Sequence, residues 1–177
     1  MTTINILIIV SGAVVIVLLW IAIGTRHLKN LRKEITDFWE NVDELLRKRQ
    51  DLVPNLVETF RGHESGQEEF MKKLIAIRMT AAKQYFPGAK KIEYEYDLTA
   101  AINELTTLAG ENKEFEQDTN FLELKGEIED LERRADARTR EYNEKVRLYN
   151  KSRESVFLAP LAALFRYKRA DIFEFEV

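Results

Sequence analysis

The 177-residue chain has no cysteine. That excludes disulfides, thiolate metal sites and cysteine nucleophiles, and weakly favours a reducing compartment. Proline occurs three times and, beyond residue 25, glycine only five times, too little punctuation for a many-stranded β fold. The two histidines, His27 and His63, have no glutamate three residues upstream, so the Glu-x-x-His pairs of di-iron bundles are missing. Ser-His-Asp and glycine-rich phosphate motifs are missing too. No metal, cofactor or small-molecule substrate is expected, and the chain does not read as an enzyme. Its formal charge of −3 comes from interspersed signs, which gives no nucleic-acid-binding surface.

A local absence says most. The first 25 residues carry no charged side chain; Arg26, Lys29, Arg32 and Lys33 then precede the first acidic residue, Glu34. The run Ile4–Ile23 is long enough to cross ~30 Å of hydrocarbon as a helix, with Trp20 at an interfacial position. Ala22 and Gly24 form a small-x-small pattern, but the run is long for a signal peptide and no basic residue precedes it, so an uncleaved anchor is expected. The basic flank places the adjoining domain in the cytoplasm and the N-terminus outside: a single-pass protein of the cell (inner) membrane.

Beyond the anchor the chain is helical. Leu31, Ile35, Phe38, Val42, Leu45, Arg49, Leu52 and Leu56 step as a heptad, beside a second file of Trp39, Leu46, Val53 and Phe60. Two adjacent files make the wide stripe of a bundle helix. It runs to about His63, kinked rather than ended by Pro54, with a turn over 62–66. A second helix is expected over 67–86, through Phe70, Leu74, Ile77, Ala81 and Tyr85. Residues 90–96 alternate like a strand but lack a partner strand, so an ordered loop or a helix lead-in is expected. A third helix spans 97–115. The fourth runs from Asp118 or Thr119 to about Phe157, and Pro160 breaks the last segment.

The fold class is therefore all-α: an N-terminal transmembrane helix (1–25) continuing into an antiparallel up-down four-helix bundle (26–157) with two long and two short helices. An apolar and basic segment (158–177) lies near the membrane or packs on the bundle. The short pair covers only the membrane-distal half, leaving a two-helix stalk in which Ile35, Phe38 and Trp39 face Tyr142, Val146 and Tyr149, an apolar face larger than two helices alone hide. Such a face invites a second copy or another membrane protein.

Polar residues in this frame have two readings. Arg49 occupies a core position, where a charge needs a partner. If residues 26 and 157 lie level, facing positions on the two long helices sum to about 183. That sets Arg49 near Arg134, with Asp130 and Glu132 one turn away, and Asp43 opposite Arg140 and near Arg138; Asp51 lies beside Arg49. A polar site inside the bundle is one reading; an ion-pair layer that fixes register is the expected one. Tyr142-Asn143 and Tyr149-Asn150 repeat at seven residues and share faces; they offer a binding surface or, as expected, stalk packing with hydroxyls and amides bonded to neighbouring helices. The sequon Asn150-Lys-Ser152 is a chance match. Phe165, Arg166, Lys168 and Arg169 are candidates for lipid contact, with folding back over the stalk as the alternative.

Three blocks resemble the LemA family of bacterial membrane proteins. These are the post-membrane helix with Trp39 and Arg47-Lys-Arg-Gln-Asp-Leu-Val-Pro-Asn-Leu-Val57, Asn120-Phe-Leu-Glu-Leu124, and Tyr142-Asn-Glu-Lys-Val-Arg-Leu-Tyr-Asn150. The resemblance covers nearly the whole chain, adds Pro54, Asn55 and Asn120 to the motif residues, and implies a bundle on a membrane anchor with no agreed enzymatic activity. It departs at the C-terminal end, where Phe157-Leu158, Pro160 and Phe165-Arg166 stand in place of the family's Phe-Pro and Gly-Phe. A self-associating or partner-binding scaffold with a role in membrane organisation or envelope homeostasis is the expected function. A ligand-binding sensor or an adaptor for a membrane enzyme is the alternative.

Overall fold

The structure, a computed structural model, describes residues 3–63, 67–115 and 117–174. The chain is all-α, with one apolar N-terminal helix and a multi-helix domain. α1 spans Thr3–His63 and continues through Pro54; of the expected turn, Gly62 belongs to α1 and residues 64–66 lie outside the described residues. α2 spans Glu68–Lys83, α3 Ala89–Gly110, α4 Thr119–Arg153 and α5 Ala159–Leu164.

Several boundaries differ from those expected, each for a local reason. α2 stops three residues early because Pro87 disfavours helical backbone before it, and its cap residue Gln84 is already extended. Gly88, at φ 153°, then turns the chain into α3. Residues 90–96 are the first turns of that helix, because Lys91, Glu95, Leu98 and Ile102 are all buried and repeat at helical spacing. At α4 the Asp118 carboxylate accepts the Phe121 amide at 2.9 Å, an N-cap bond that satisfies an orphan donor of the first turn. α4 ends at Arg153 rather than near Phe157. Pro160 starts α5 instead of only breaking the chain, since a proline costs nothing in a helix's first turn. α5 closes with Arg166 at φ 54°. There the Tyr167 and Arg166 amides return to the Ala162 and Ala163 carbonyls, the paired bonds of a Schellman cap.

The chain forms two compact units. The first comprises Met1–Thr36 and Glu144–Ala170. In it Leu28, Leu31, Ile35, Val146, Tyr149, Leu161 and Ala162 are buried, and Lys145 pairs with Glu34 at 2.9 Å. The Leu161 and Leu158 side chains press on Gly24, where an added Cβ would lie 2.4 Å from Leu161 Cδ1. From Ile4 to Leu19 every residue of α1 is exposed, as are Ala22 and Ile23, and this apolar stretch is long enough to cross a membrane.

The second unit comprises Asp37–Asn143 and Asp171–Val177. Its core draws Leu56 and Phe60 from α1, Met71 and Leu74 from α2, Leu98 and Leu105 from α3 and Ile128 from α4 into one cluster. Phe115, from the turn before α4, stacks on Phe60 at 5.2 Å and lies against Phe121 at 4.9 Å. Fully burying a side chain of this size stabilises by about 1.5–3 kcal/mol, so these residues fix how the helices of the unit meet.

The expected open face is closed. Ile35 and Val146 are buried in the first unit and Trp39 in the second, while Phe38 is half-buried. Trp39 meets Tyr142 at 5.5 Å and Phe173 at 5.0 Å, both edge-on. Counting helices leaves Trp39 uncovered because Phe173, beyond α5, belongs to no helix, yet it packs on that ring.

Candidate functional site

A layer of charge lies inside the second unit. Arg49 of α1 is 1% exposed and forks between α3 and α4. Its Nη2 donates to Glu95 Oε2 at 2.5 Å, and its Nη1 donates to Glu132 Oε1 at 2.9 Å and Thr99 Oγ1 at 2.7 Å. The other Glu95 oxygen accepts from Gln50 at 2.7 Å and pairs with Lys91 Nζ at 2.9 Å. Lys91 also lies 3.6 Å from Asp43, which takes Arg47 Nε at 2.6 Å. Two buried cations thus face three buried carboxylates, with Arg47 at the rim as the third positive charge. Hydrogen bonding to the Asp43 carboxylate holds the Arg47 guanidinium more firmly protonated than an ordinary arginine, against the opposing effect of burial. The Arg47 guanidinium also sits over the Tyr85 ring at 5.6 Å.

Such a layer has a defined chemistry. A guanidinium offers a rigid fork of donors and carboxylates accept it in set directions, so the pairing holds in only one register of the helices. Breaking it would leave buried charge uncompensated. Arg49 meets Glu132 of α4. Asp43 does not meet Arg140: Arg140 pairs with Asp136 and Arg138 with Glu141, each within α4, and Arg134 is exposed. Facing positions on α1 and α4 leave out α3, which supplies Lys91, Glu95 and Thr99. Those three escape a reading of the sequence because a lysine and a glutamate at i, i+4 look like a solvated pair. The signal for them is the apolar Leu98 and Ile102 continuing the same stripe.

The remaining motif residues of α1 and the start of α4 lie at the surface. Asp51 pairs with Arg78 of α2 at 2.9 Å, and Arg78 also donates to the Gln50 carbonyl. Pro54 and Asn55 are exposed. Asn120 donates to Thr59 Oγ1 at 2.7 Å. The buried Thr139 Oγ1 has no hydrogen-bond partner among the described residues.

The two Tyr-Asn pairs form a different device. In the first unit Asn150 donates to the Ala170 carbonyl at 2.9 Å and accepts the Ala170 amide at 3.0 Å, while Tyr149 donates to the Lys168 carbonyl at 2.8 Å. Arg153 adds a bond to the Tyr167 carbonyl. In the second unit Asn143 donates to the Phe173 carbonyl at 2.7 Å and accepts its amide at 2.9 Å, and Tyr142 donates to the Asp171 carbonyl at 2.9 Å. Burial raises the Tyr142 phenol above its usual range, with the Asp171 charge adding to the effect. Each pair is a clip for non-helical backbone: the amide takes both polar groups of one residue, the hydroxyl a carbonyl two residues earlier. The clips repeat at seven residues along the sequence of α4 and at three residues in the segment they hold. The expected partners were neighbouring helices; the observed ones are main-chain groups of the C-terminal segment.

Phe165, Arg166, Lys168 and Arg169 stay exposed. Among the described residues no group of three histidine, aspartate or glutamate side chains is placed to hold a metal ion. A groove of about 360 Å³ runs between α2 and α3, lined by Phe70, Leu74, Ile77 and Ala101 with Lys73 and Glu104 among its polar residues.

The sequence profile of the LemA family matches residues 38–177, most of the chain, and the chain belongs to that family. No curated protein matches it.

Proposed function

From this membership and the geometry of the site, we propose that the protein is a membrane-anchored, self-associating scaffold that organises copies or membrane partners in the cell (inner) membrane, with a role in membrane organisation or envelope homeostasis. LemA-family membership supports the reading of a membrane-associated helical protein. In this reading 1–25 anchor it, 26–157 form an antiparallel up-down bundle, and the segment 158–177 lies near the membrane or packs on the bundle. In this reading Asp43 and Arg49 set the register, Asp51, Arg138 and Asn120 support it from the surface, and Pro54 and Asn55 belong to the family block. Tyr142, Asn143, Tyr149 and Asn150 hold the returning segment.

The observation that carries this reading is where the reactive side chains are engaged. Arg49, Lys91, Glu95, Asp43 and Glu132 pair within one layer with Arg47 at its rim, and the Tyr-Asn pairs hold the chain's own backbone, an arrangement suited to rigidity rather than turnover. Ile35, Trp39 and Val146 are buried within a single copy. Association therefore runs through the membrane helix and the surface around Phe38 rather than through a bare stalk. Mass photometry of the full chain in lipid nanodiscs and in mild detergent tests the idea: multiples of the protomer mass are expected, and a strict monomer in both would overturn self-association. A sensor or adaptor is the second reading, favoured by the groove between α2 and α3; reproducible ligand protection of the Ala100 and Ala101 amides from hydrogen exchange would promote it.

A further inference from the structure

The geometry points to a second membrane contact: the turn before α5, α5 itself and the residues just after it form an interfacial wedge that inserts among anionic lipids beside the membrane helix. The inference rests on the anchor reading for 1–25 and adds an element to it. α5 is held against the membrane helix where that helix loses its apolar character. Leu161, 1% exposed, and Leu158 pack on Gly24, one residue beyond the apolar run that ends at Ile23. That contact places α5 at the level of the hydrocarbon boundary, and lipid is the medium the helix brings there.

The outward side of the element suits that medium. Val156 is 85% exposed, Phe157 76%, Leu164 69% and Phe165 49%. Large side chains bared together on a short turn and helix mark an interaction surface rather than ordinary exposure. The same unit exposes cations on both of its segments: Arg166, Lys168 and Arg169 after α5, and Arg26, Lys29, Arg32 and Lys33 on α1. Apolar residues buried to headgroup depth with basic residues beside them is the pattern of an in-plane interfacial element, and cations near an anionic leaflet add to its binding. The Schellman cap at Ala162–Tyr167 and the bond from Arg153 to the Tyr167 carbonyl fix the element's end, so the wedge is presented ready-made.

Absence of native cysteine makes the test direct. Full-length variants Phe157→Cys, Leu164→Cys, Glu144→Cys and Val15→Cys, each labelled with a polarity-sensitive fluorophore, are reconstituted in phosphatidylcholine vesicles with and without phosphatidylglycerol. Nitroxide lipids serve as quenchers at headgroup depth and at mid-chain. Labels at 157 and 164 are expected to blue-shift and lose their fluorescence to the shallow quencher, more completely with phosphatidylglycerol, while the label at 144 stays aqueous and unquenched. Replacing Arg166, Lys168 and Arg169 with glutamine is expected to abolish the extra quenching that phosphatidylglycerol brings. Unquenched, water-exposed labels at 157 and 164 would overturn the wedge. So would labels shielded from water yet untouched by nitroxide lipid, which would mean that protein covers the face. The label at 15 separates the two readings: if mid-chain nitroxide fails to quench it, the anchor itself is refuted.

Discussion

Arg49 shows what a single residue contributes. A charge at a heptad core position is legible in sequence, because its desolvation must be offset by partners. Which partners is not legible, because the third helix's register depends on Gly88 and on where α3 begins. Removing the cation takes the ion-pair partner from Glu132 and leaves Glu95 with Lys91 and Gln50, in a site of low exposure. Arg49→Met is therefore expected to destabilise the domain by about 3–5 kcal/mol, read as a lower midpoint in urea melts followed by circular dichroism. Adding Glu132→Gln should recover part of that loss by removing the stranded charge. A single variant as stable as the parent would show that the layer contributes no stability.

Tyr142 gives a residue-level test with a defined sign. Its phenol is raised above its ordinary value of 10 because burial penalises the phenolate. The folded protein then holds the proton more tightly than the unfolded chain. This contribution is intact below pH 10 and is lost as pH rises from there toward the folded value. Tyr142→Phe gives up the bond to the Asp171 carbonyl, at a cost of about 0.5–1.5 kcal/mol at neutral pH, but has no phenolate to bury. Its stability should therefore decline less steeply above pH 10, as measured by the pH dependence of the urea midpoint. Parallel alkaline declines in parent and variant would remove Tyr142 as the cause.

Among elements, the long amphipathic helices were the most legible, since two apolar files at seven-residue spacing admit little else. The C-terminal segment was the least legible. It has no periodicity, and its order comes from main-chain bonds to Asn143 and Asn150, which any tail sequence could accept. The heptad spacing of the Tyr-Asn pairs was visible, but a side chain that binds backbone leaves no complementary mark in the partner's sequence. Each asparagine closes two bonds to one residue, and an alanine leaves the amide and carbonyl of that residue without them. Asn150→Ala should accelerate hydrogen exchange at the Ala170 amide, and Asn143→Ala at the Phe173 amide, with a stability loss of about 1–3 kcal/mol each. Exchange unchanged at both amides would mean that apolar packing alone holds the segment. The αL residue that closes α5 belongs to the same scale: Arg166→Gly should raise the melting temperature slightly, because glycine adopts φ 54° without the Cβ penalty.

For the whole molecule, the decisive property is the partition of charge along α1. An uncharged, outward-facing run of residues gives way within one helix to exposed Arg26, Lys29, Arg32 and Lys33. The run fixes attachment to a membrane; the cations bear on orientation, because basic residues within about 15–20 residues of a span resist translocation. Acidic residues count little in that bias, so the 30 Asp and Glu of the chain do not offset it. The domain is therefore expected on the cytoplasmic side, and Met79, 50% exposed on α2, is a convenient reporter. A Met79→Cys variant expressed in a bacterial inner membrane should resist a membrane-impermeant maleimide in intact spheroplasts and react after permeabilisation. Changing all four flanking cations to glutamine removes the bias and should yield a mixed population in which part of the label reacts before permeabilisation. Full reaction of Met79→Cys in intact spheroplasts would place the domain on the opposite face and move the basic surface around α5 to the outer leaflet with it.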